Sequence, residues 1–173
     1  MPVNLTQPNK KNILSIPGIV LGTFEAGIKY SNRKDLTLIL LDEGSVVVGV
    51  FTKNQFMAAP VKVAKNYLSD GGNKRALLIN TGSANAGTGD AGINNAKQTC
   101  QALAKRLNIS ENQVLPFSTG VIMTDLPVGK IVNSLGPLIT NLDPNNWLDA
   151  AIAIMTTDTI PKAISSSAII EEN

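Results

Sequence analysis

An α/β or α+β domain, with strands and helices layered as a sandwich, is what this sequence predicts, and three features predict it. Short β-rich apolar runs such as Leu36–Leu41 alternate with segments of helical spacing such as Ile93, Ala96, Cys100, Leu103 and Leu107. A glycine-rich stretch from Gly82 to Gly92 separates one strand from one helix. With 173 residues, 43% of them hydrophobic and 16% charged, the chain has the material for one core of ordinary size.

Taken in order, residues 1–17 are polar and contain proline, which predicts an N-terminal arm ahead of a single domain over 18–173. Ile19-Val20-Leu21 opens the first strand. Leu36–Leu41 and Ser45–Phe51 flank Asp42-Glu43-Gly44 and read as a hairpin, nearly continuously apolar and therefore covered on both faces. Arg75–Asn80 is a third strand. The Ile93 helix takes Asp90 as its candidate N-cap. A short strand follows at Val114–Phe117, where Pro116 implies an edge or a strand end. Val128, Ile131, Val132 and Leu135 predict a helix limited by Gly136-Pro137. Asp143-Pro144 then reads as a cap with a first-turn proline, opening a helix with Trp147, Ala150, Ala151 and Ile154 on one stripe. Ser167–Asn173 has the look of a strand beginning, so a partner chain is expected to continue the fold. No internal repeat interrupts this order.

Composition removes several chemistries. The chain has no histidine and one cysteine, which excludes a Ser-His-Asp triad, a Cys-His pair and a His/Cys zinc site built from this chain alone. Cys100 falls on the apolar stripe of its helix and reads as a small buried hydrophobe. A net charge of +2 from scattered lysines and arginines argues against nucleic acid and anionic membrane partners. Four Phe, two Tyr and one Trp are too few for a base-stacking platform. The N-terminus lacks the pattern of a secretory or transit peptide, and no apolar run reaches membrane-spanning length, so the expected location is cytoplasmic.

Three segments have the makings of a site. Asn80–Gly92 joins a strand to a helix through glycines that let backbone approach a ligand; within it Gly87–Gly92 formally fits the dinucleotide glycine spacing, but no Gly-Lys-Ser/Thr of a P-loop follows. A structural loop and a nucleotide-binding module both remain open there. Ser118-Thr119-Gly120, at a strand end, offers a hydroxyl and a backbone N–H to one point, as an oxyanion hole needs; on the residues alone, an ordinary turn with a local Thr hydrogen bond is the favoured reading. Met155–Lys162 concentrates hydroxyls and a carboxylate, which suits either a helix end or a polar pocket for an amino acid.

These three, in this order and with four further strings, resemble the ornithine acetyltransferase family of arginine biosynthesis (bifunctional glutamate N-acetyltransferase). The strings are Ala26-Gly27-Ile28-Lys29 with Arg33-Lys34-Asp35-Leu36, Gly49–Asn54, Ala58-Ala59-Pro60-Val61, Asn80–Gly89, Ser118–Ile122, Leu126-Pro127 with Lys130-Ile131, and Ala153–Lys162 around a variable Ile160. The resemblance implies a precursor that cleaves itself before a threonine into an α and a β chain, this sequence being most of the α chain. The new N-terminal Thr of the β chain would be the nucleophile, its own α-amine the base, so no histidine is required.

By position, Thr119 and Gly120 would form the oxyanion hole, and Thr156, with Thr157 as the alternative, would bind substrate. The implied reaction passes an acetyl group from N-acetylornithine to glutamate through an acetyl-threonine enzyme. It needs no cofactor or metal, although acetyl-CoA is an alternative acetyl donor for some members. The implied assembly is a dimer of αβ units. The family usually carries Gly where this chain has Met123. A self-processing aminopeptidase of related architecture is the neighbouring alternative, distinguished by water as final acceptor.

Overall fold

The computed structural model describes residues 6–169. Four strands form one sheet in the order β1-β2-β3-β4, with β1 Ile19–Phe24, β2 Leu36–Leu41, β3 Ala76–Ser83 and β4 Val114–Val121. β1, β2 and β3 pair antiparallel, while β4 runs parallel to β3 and forms an edge, which accommodates Pro116. The β3–β4 crossover is made by the long helix α2 (Gly89–Leu107). The other helices are α1 (Ala59–Ser69), α3 (Val128–Thr140) and α4 (Trp147–Ala153).

Alternation along the strands sorts the side chains into two faces. Leu36, Leu38, Ala76, Leu78 and Val114 point to the face covered by α1, α2 and α3, where Val63, Cys100, Leu103, Ile131, Leu135 and Leu138 complete the core. The opposite face carries Leu21, Thr37, Ile39 and Ile79. α4 packs over β1 and β2 there, beside a cavity of about 740 Å³ lined by Ile39, Ile79, Trp147 and Ile154. Toward β4 that face lies open, and Phe117 is 40% exposed.

Several sequence expectations are corrected by these packing relations. Ser45–Phe51 is not a strand of a hairpin, because β1 and β3 already occupy both edges of β2. Val47 and Phe51 pack inward, but Val46, Val48 and Val50 are 86%, 88% and 102% exposed, so that run is not covered on both faces. α3 does not stop at Gly136-Pro137 but continues to Thr140. An interior proline costs about 3 kcal/mol, which complete burial of Leu135 and Leu138 at roughly 1.5–3 kcal/mol each offsets.

Asp143-Pro144 does not open α4. Asp143 N–H donates to Leu21 O at 3.0 Å and Leu21 N–H donates to Asp143 O at 3.1 Å, so its backbone is committed to the sheet and the helix begins after Asn146. Asp90 is not the cap of α2 either: Thr88 holds that position, and Asp90 sits in the first turn, where its charge suits the helix dipole. α1 has no counterpart in the sequence reading, although Pro60 at its start and Val63, Ala64 and Tyr67 on one face mark it.

The arm is tied down by Ser165, whose hydroxyl donates to Asn12 O and accepts from Leu14 N–H. Ser167–Ile169 has no regular structure, and the rest of the C-terminal strand expectation lies outside the described residues.

Candidate functional site

The end of β4 is shaped by two glycines. Gly82 and Gly120 are partners in the β3–β4 register, with φ of +117° and +136°. A Cβ on Gly120 would lie 2.4 Å from the Gly82 carbonyl carbon, and one on Gly82 would lie 2.9 Å from Lys29 Cβ. Only residues without a side chain let these three backbones approach so closely. The turn beyond is fastened to the β3 side: Ala84 N–H donates to Val121 O at 2.9 Å, Met123 N–H to Ala86 O at 2.8 Å, and Ser83 OH to Thr124 O at 3.1 Å. Beneath it, Ser118 OH donates to Asn80 Oδ1 at 2.6 Å.

The loop between β1 and β2 reaches the same place. Asp35 is 2% exposed, and its carboxylate accepts the Ala26 and Ile28 N–H groups at 2.7 and 2.6 Å, turning the chain so that Lys29, Tyr30 and Arg33 face β4. Lys130 Nζ donates to Gly27 O at 2.5 Å and braces the loop from α3.

A third segment comes from the end of α4. Thr81 OH donates to Ala153 O at 2.8 Å, and Arg33 Nη2 donates to Met155 O at 2.5 Å. These two bonds bring Thr156 to a pocket of about 80 Å³ that it shares with Gly120, Val121 and Gly82 on one side and Lys29 and Arg33 on the other. Of the residues singled out in the sequence, Gly120 and Thr156 therefore meet. Thr119 is half-buried in β4 opposite Thr81, one residue from the pocket wall, and Thr157 is exposed and does not line it.

The charge of this pocket is positive. Among the described residues neither Lys29 nor Arg33 has an acidic partner within ion-pair distance, whereas Lys34 pairs with Asp149 and Lys162 with Asp158. Lys29 Nζ lies 5.2 Å from the centre of the Tyr30 ring. Hydrogen bonding to Lys34 holds the Asp149 carboxyl below its usual range, against a smaller opposing effect of burial. The Asp158 carboxyl is lowered by Lys162 in the same way.

Other groups are unsuited to chemistry here. Cys100 is fully buried among the helices, and burial pushes its thiol up to about 12. No group of three His, Cys, Asp or Glu among the described residues is placed to hold a metal. The glycine-rich loop closes on itself: Asn85, 0% exposed, donates to Gly92 O and accepts from Thr88 OH. A Cβ on Gly92 would lie 1.9 Å from Thr88 Oγ1, so this glycine serves internal packing. No helix among the described residues is long and apolar enough to cross a membrane.

Lys29, Arg33, Asp35, Thr81 and Gly82 were not among the site residues expected from sequence. Lys29, Arg33 and Asp35 carry no signal beyond falling within the quoted family strings, while Thr81 and Gly82 lie also in the glycine-rich Asn80–Gly92 segment, which assigns neither of them a role.

A family model described as the ArgJ family matches residues 20–173. The arginine biosynthesis bifunctional protein ArgJ of Colwellia psychrerythraea is 48% identical over 176 aligned residues, covering 96% of this chain but 42% of that protein. The chain thus spans less than half the length of that relative. Ornithine acetyltransferase of Mycobacterium tuberculosis, solved with ornithine, superposes with a TM-score of 0.79 at 35% identity, over 84% of this chain and 79% of that one. The arginine biosynthesis bifunctional protein from Bacillus halodurans gives 0.77 at 31% identity, over 86% and 82%.

Proposed function

The chain belongs to the ArgJ family, and from that premise we propose that it is the α part of an ornithine acetyltransferase, working with a β chain cut from the same precursor. The observation that carries this reading is the pocket itself, in which Gly120 from β4 and Thr156 from beyond α4 converge. In the proposed cycle the β-chain threonine Oγ attacks the acetyl carbonyl of N-acetylornithine, and its proton passes to the threonine's own α-amine. Negative charge develops on the carbonyl oxygen and is met by Thr119 and the Gly120 N–H. The C–N bond breaks, ornithine takes up the proton, and an acetyl-threonine ester remains. The amine of glutamate then attacks that ester, giving N-acetylglutamate and restoring the hydroxyl. Thr156 contacts the substrate; Thr157 lies outside the pocket and is the weaker assignment.

Two features support a companion chain. Three helices cover the sheet on one face, while the other, only partly covered by α4, keeps a cavity of about 740 Å³ at which Thr37 Oγ1 and Trp147 Nε1 are buried with no hydrogen-bond partner among the described residues. The matched chains of the two solved structures are covered to 79% and 82%, against 42% for the ArgJ relative, as a precursor divided in two would give. No cofactor or metal takes part in the proposed exchange, acetyl-CoA being an alternative donor only, and the assembly is a dimer of αβ units in the cytoplasm. The test is direct. The full-length protein, its cleavage confirmed by intact mass, is incubated with N-acetylornithine and glutamate; N-acetylglutamate and ornithine are expected, and their absence overturns the proposal.

A further inference from the structure

We infer that Asp35 is a positioning residue for the oxyanion hole, an inference that rests on the acetyl-transfer reading and concerns how the hole is held, not how substrate binds. Side chain and main chain of Asp35 are both committed. Its carboxylate, 2% exposed, accepts the Ala26 N–H at 2.7 Å on Oδ1 and the Ile28 N–H at 2.6 Å on Oδ2. Its main-chain carbonyl accepts the Thr81 N–H at 2.8 Å. The residues that follow these donors are the ones that meet. Lys29 comes after Ile28 and Gly82 after Thr81, and a Cβ on Gly82 would lie 2.9 Å from Lys29 Cβ and 3.5 Å from Lys29 N. Asp35 thus holds the β1–β2 loop and β3 together at their point of contact.

That point lies directly behind the proposed hole. Thr81 and Gly82 are the register partners of Thr119 and Gly120, and a Cβ on Gly120 would lie 2.6 Å from Gly82 O. Lys29, Gly82 and Gly120 form a stack of backbones with no slack between them, so a shift of the loop is passed on to Gly120. Misplacing a catalytic group by about 1 Å costs about 10²-fold in rate. A turn alone needs no carboxylate, because Asn or Ser holds such loops without charge. A buried charge without a cation is costly, and among the described residues Asp35 has no Lys or Arg within ion-pair distance. What the carboxylate adds is two charge-assisted bonds, one on each oxygen, that fix both amides at once. From α3, Lys130 Nζ holds the intervening Gly27 O, a second brace on the same loop.

The experiment uses the full-length, cleaved protein with N-acetylornithine and glutamate. Asp35→Asn keeps the shape of the side chain but turns an amide donor toward one of the two N–H groups. It is expected to lower kcat about 10–100-fold while KM for both substrates stays within about twofold. That split marks an interaction made only in the transition state, whereas a brace serving stability alone lowers Tm and leaves kcat of the folded protein intact. Unchanged kcat in folded Asp35→Asn overturns the inference. A rise in KM with kcat intact overturns it too, by assigning the loop to substrate binding. If Asp35→Asn fails to fold, Lys130→Met, which alters an exposed side chain on the same loop, decides alone: kcat about threefold lower at unchanged KM supports the inference, and unchanged kcat overturns it. A wild type that transfers no acetyl group refutes the acetyl-transfer reading instead. Full turnover in Thr119→Ala refutes the oxyanion assignment, and a slow Thr119→Ala beside a fully active Asp35→Asn refutes only the role of Asp35.

Discussion

Gly82 and Gly120 stand opposite each other on parallel strands so closely that a single methyl group on Gly120 would lie 2.4 Å from the Gly82 carbonyl carbon. The φ of Gly120, +136°, is closed to L residues as well. Gly120→Ala is therefore expected to lower stability by about 2–4 kcal/mol through overpacking and backbone strain together. Thermal unfolding of the full-length protein measures this; an unchanged Tm would show that the strand ends separate without cost.

Thr119→Ala removes a hydroxyl from a half-buried site and leaves the backbone in place. If Thr119 steadies the developing oxyanion, kcat falls about 10²–10³-fold, on the order of 3 kcal/mol, while the two chains still co-purify. Steady-state formation of N-acetylglutamate reads the first quantity and gel filtration the second. Full turnover in an intact assembly would remove Thr119 from the oxyanion hole.

Met123 occupies the left-handed region at φ +57°, with its Cγ 3.0 Å from where a Cβ on Gly87 would sit. The strain of that conformation in an L residue is about 1–2 kcal/mol, and a glycine there gives back about 0.5–1 kcal/mol in unfolded-chain entropy. Met123→Gly is thus expected to stabilise the protein by about 0.5–1 kcal/mol, visible as a rise in Tm. A fall would mean that contacts of the methionine side chain outweigh its backbone strain.

Asp149 joins α4 to Lys34, at 2.9 Å, and to Lys10 of the arm, at 3.5 Å. Its carboxyl titrates lower in the folded state than the ~3.9 of an unfolded chain. The pair therefore contributes above that unfolded value, and the contribution is lost as pH falls through the lower folded one. Because Lys34 is 46% exposed, the pair is worth only about 0.5–1 kcal/mol. Asp149→Asn should cost that much at neutral pH and progressively less as pH falls below the unfolded carboxyl's ~3.9, as urea unfolding at a neutral and an acid pH would show. An equal deficit at both would assign the loss to packing.

Legibility in the sequence followed the range of the forces involved. β1, β2, β3 and the Ile93 helix were readable because alternation and helical spacing are local properties of the chain. The false hairpin at Ser45–Phe51 had the same local signal; what excluded it was β3, whose pairing with β2 is long-range. Asp143 failed as a cap for a similar reason, its backbone being claimed by Leu21 from the far end of the domain. At the site, Gly120 and Thr156 were identifiable through family strings. Lys29 and Arg33 required the fold, since only the Asp35 turn and the Met155 carbonyl bring them across to β4.

The valines that the hairpin expectation placed in a strand have a consequence of their own. Val46, Val48 and Val50 project to solvent from a segment that pairs with no strand among the described residues. A run of exposed β-branched residues is a site at which another chain can adhere. If the chain works with a β chain cut from the same precursor, docking of the two halves before scission would spare these valines a period of exposure as a free half-molecule.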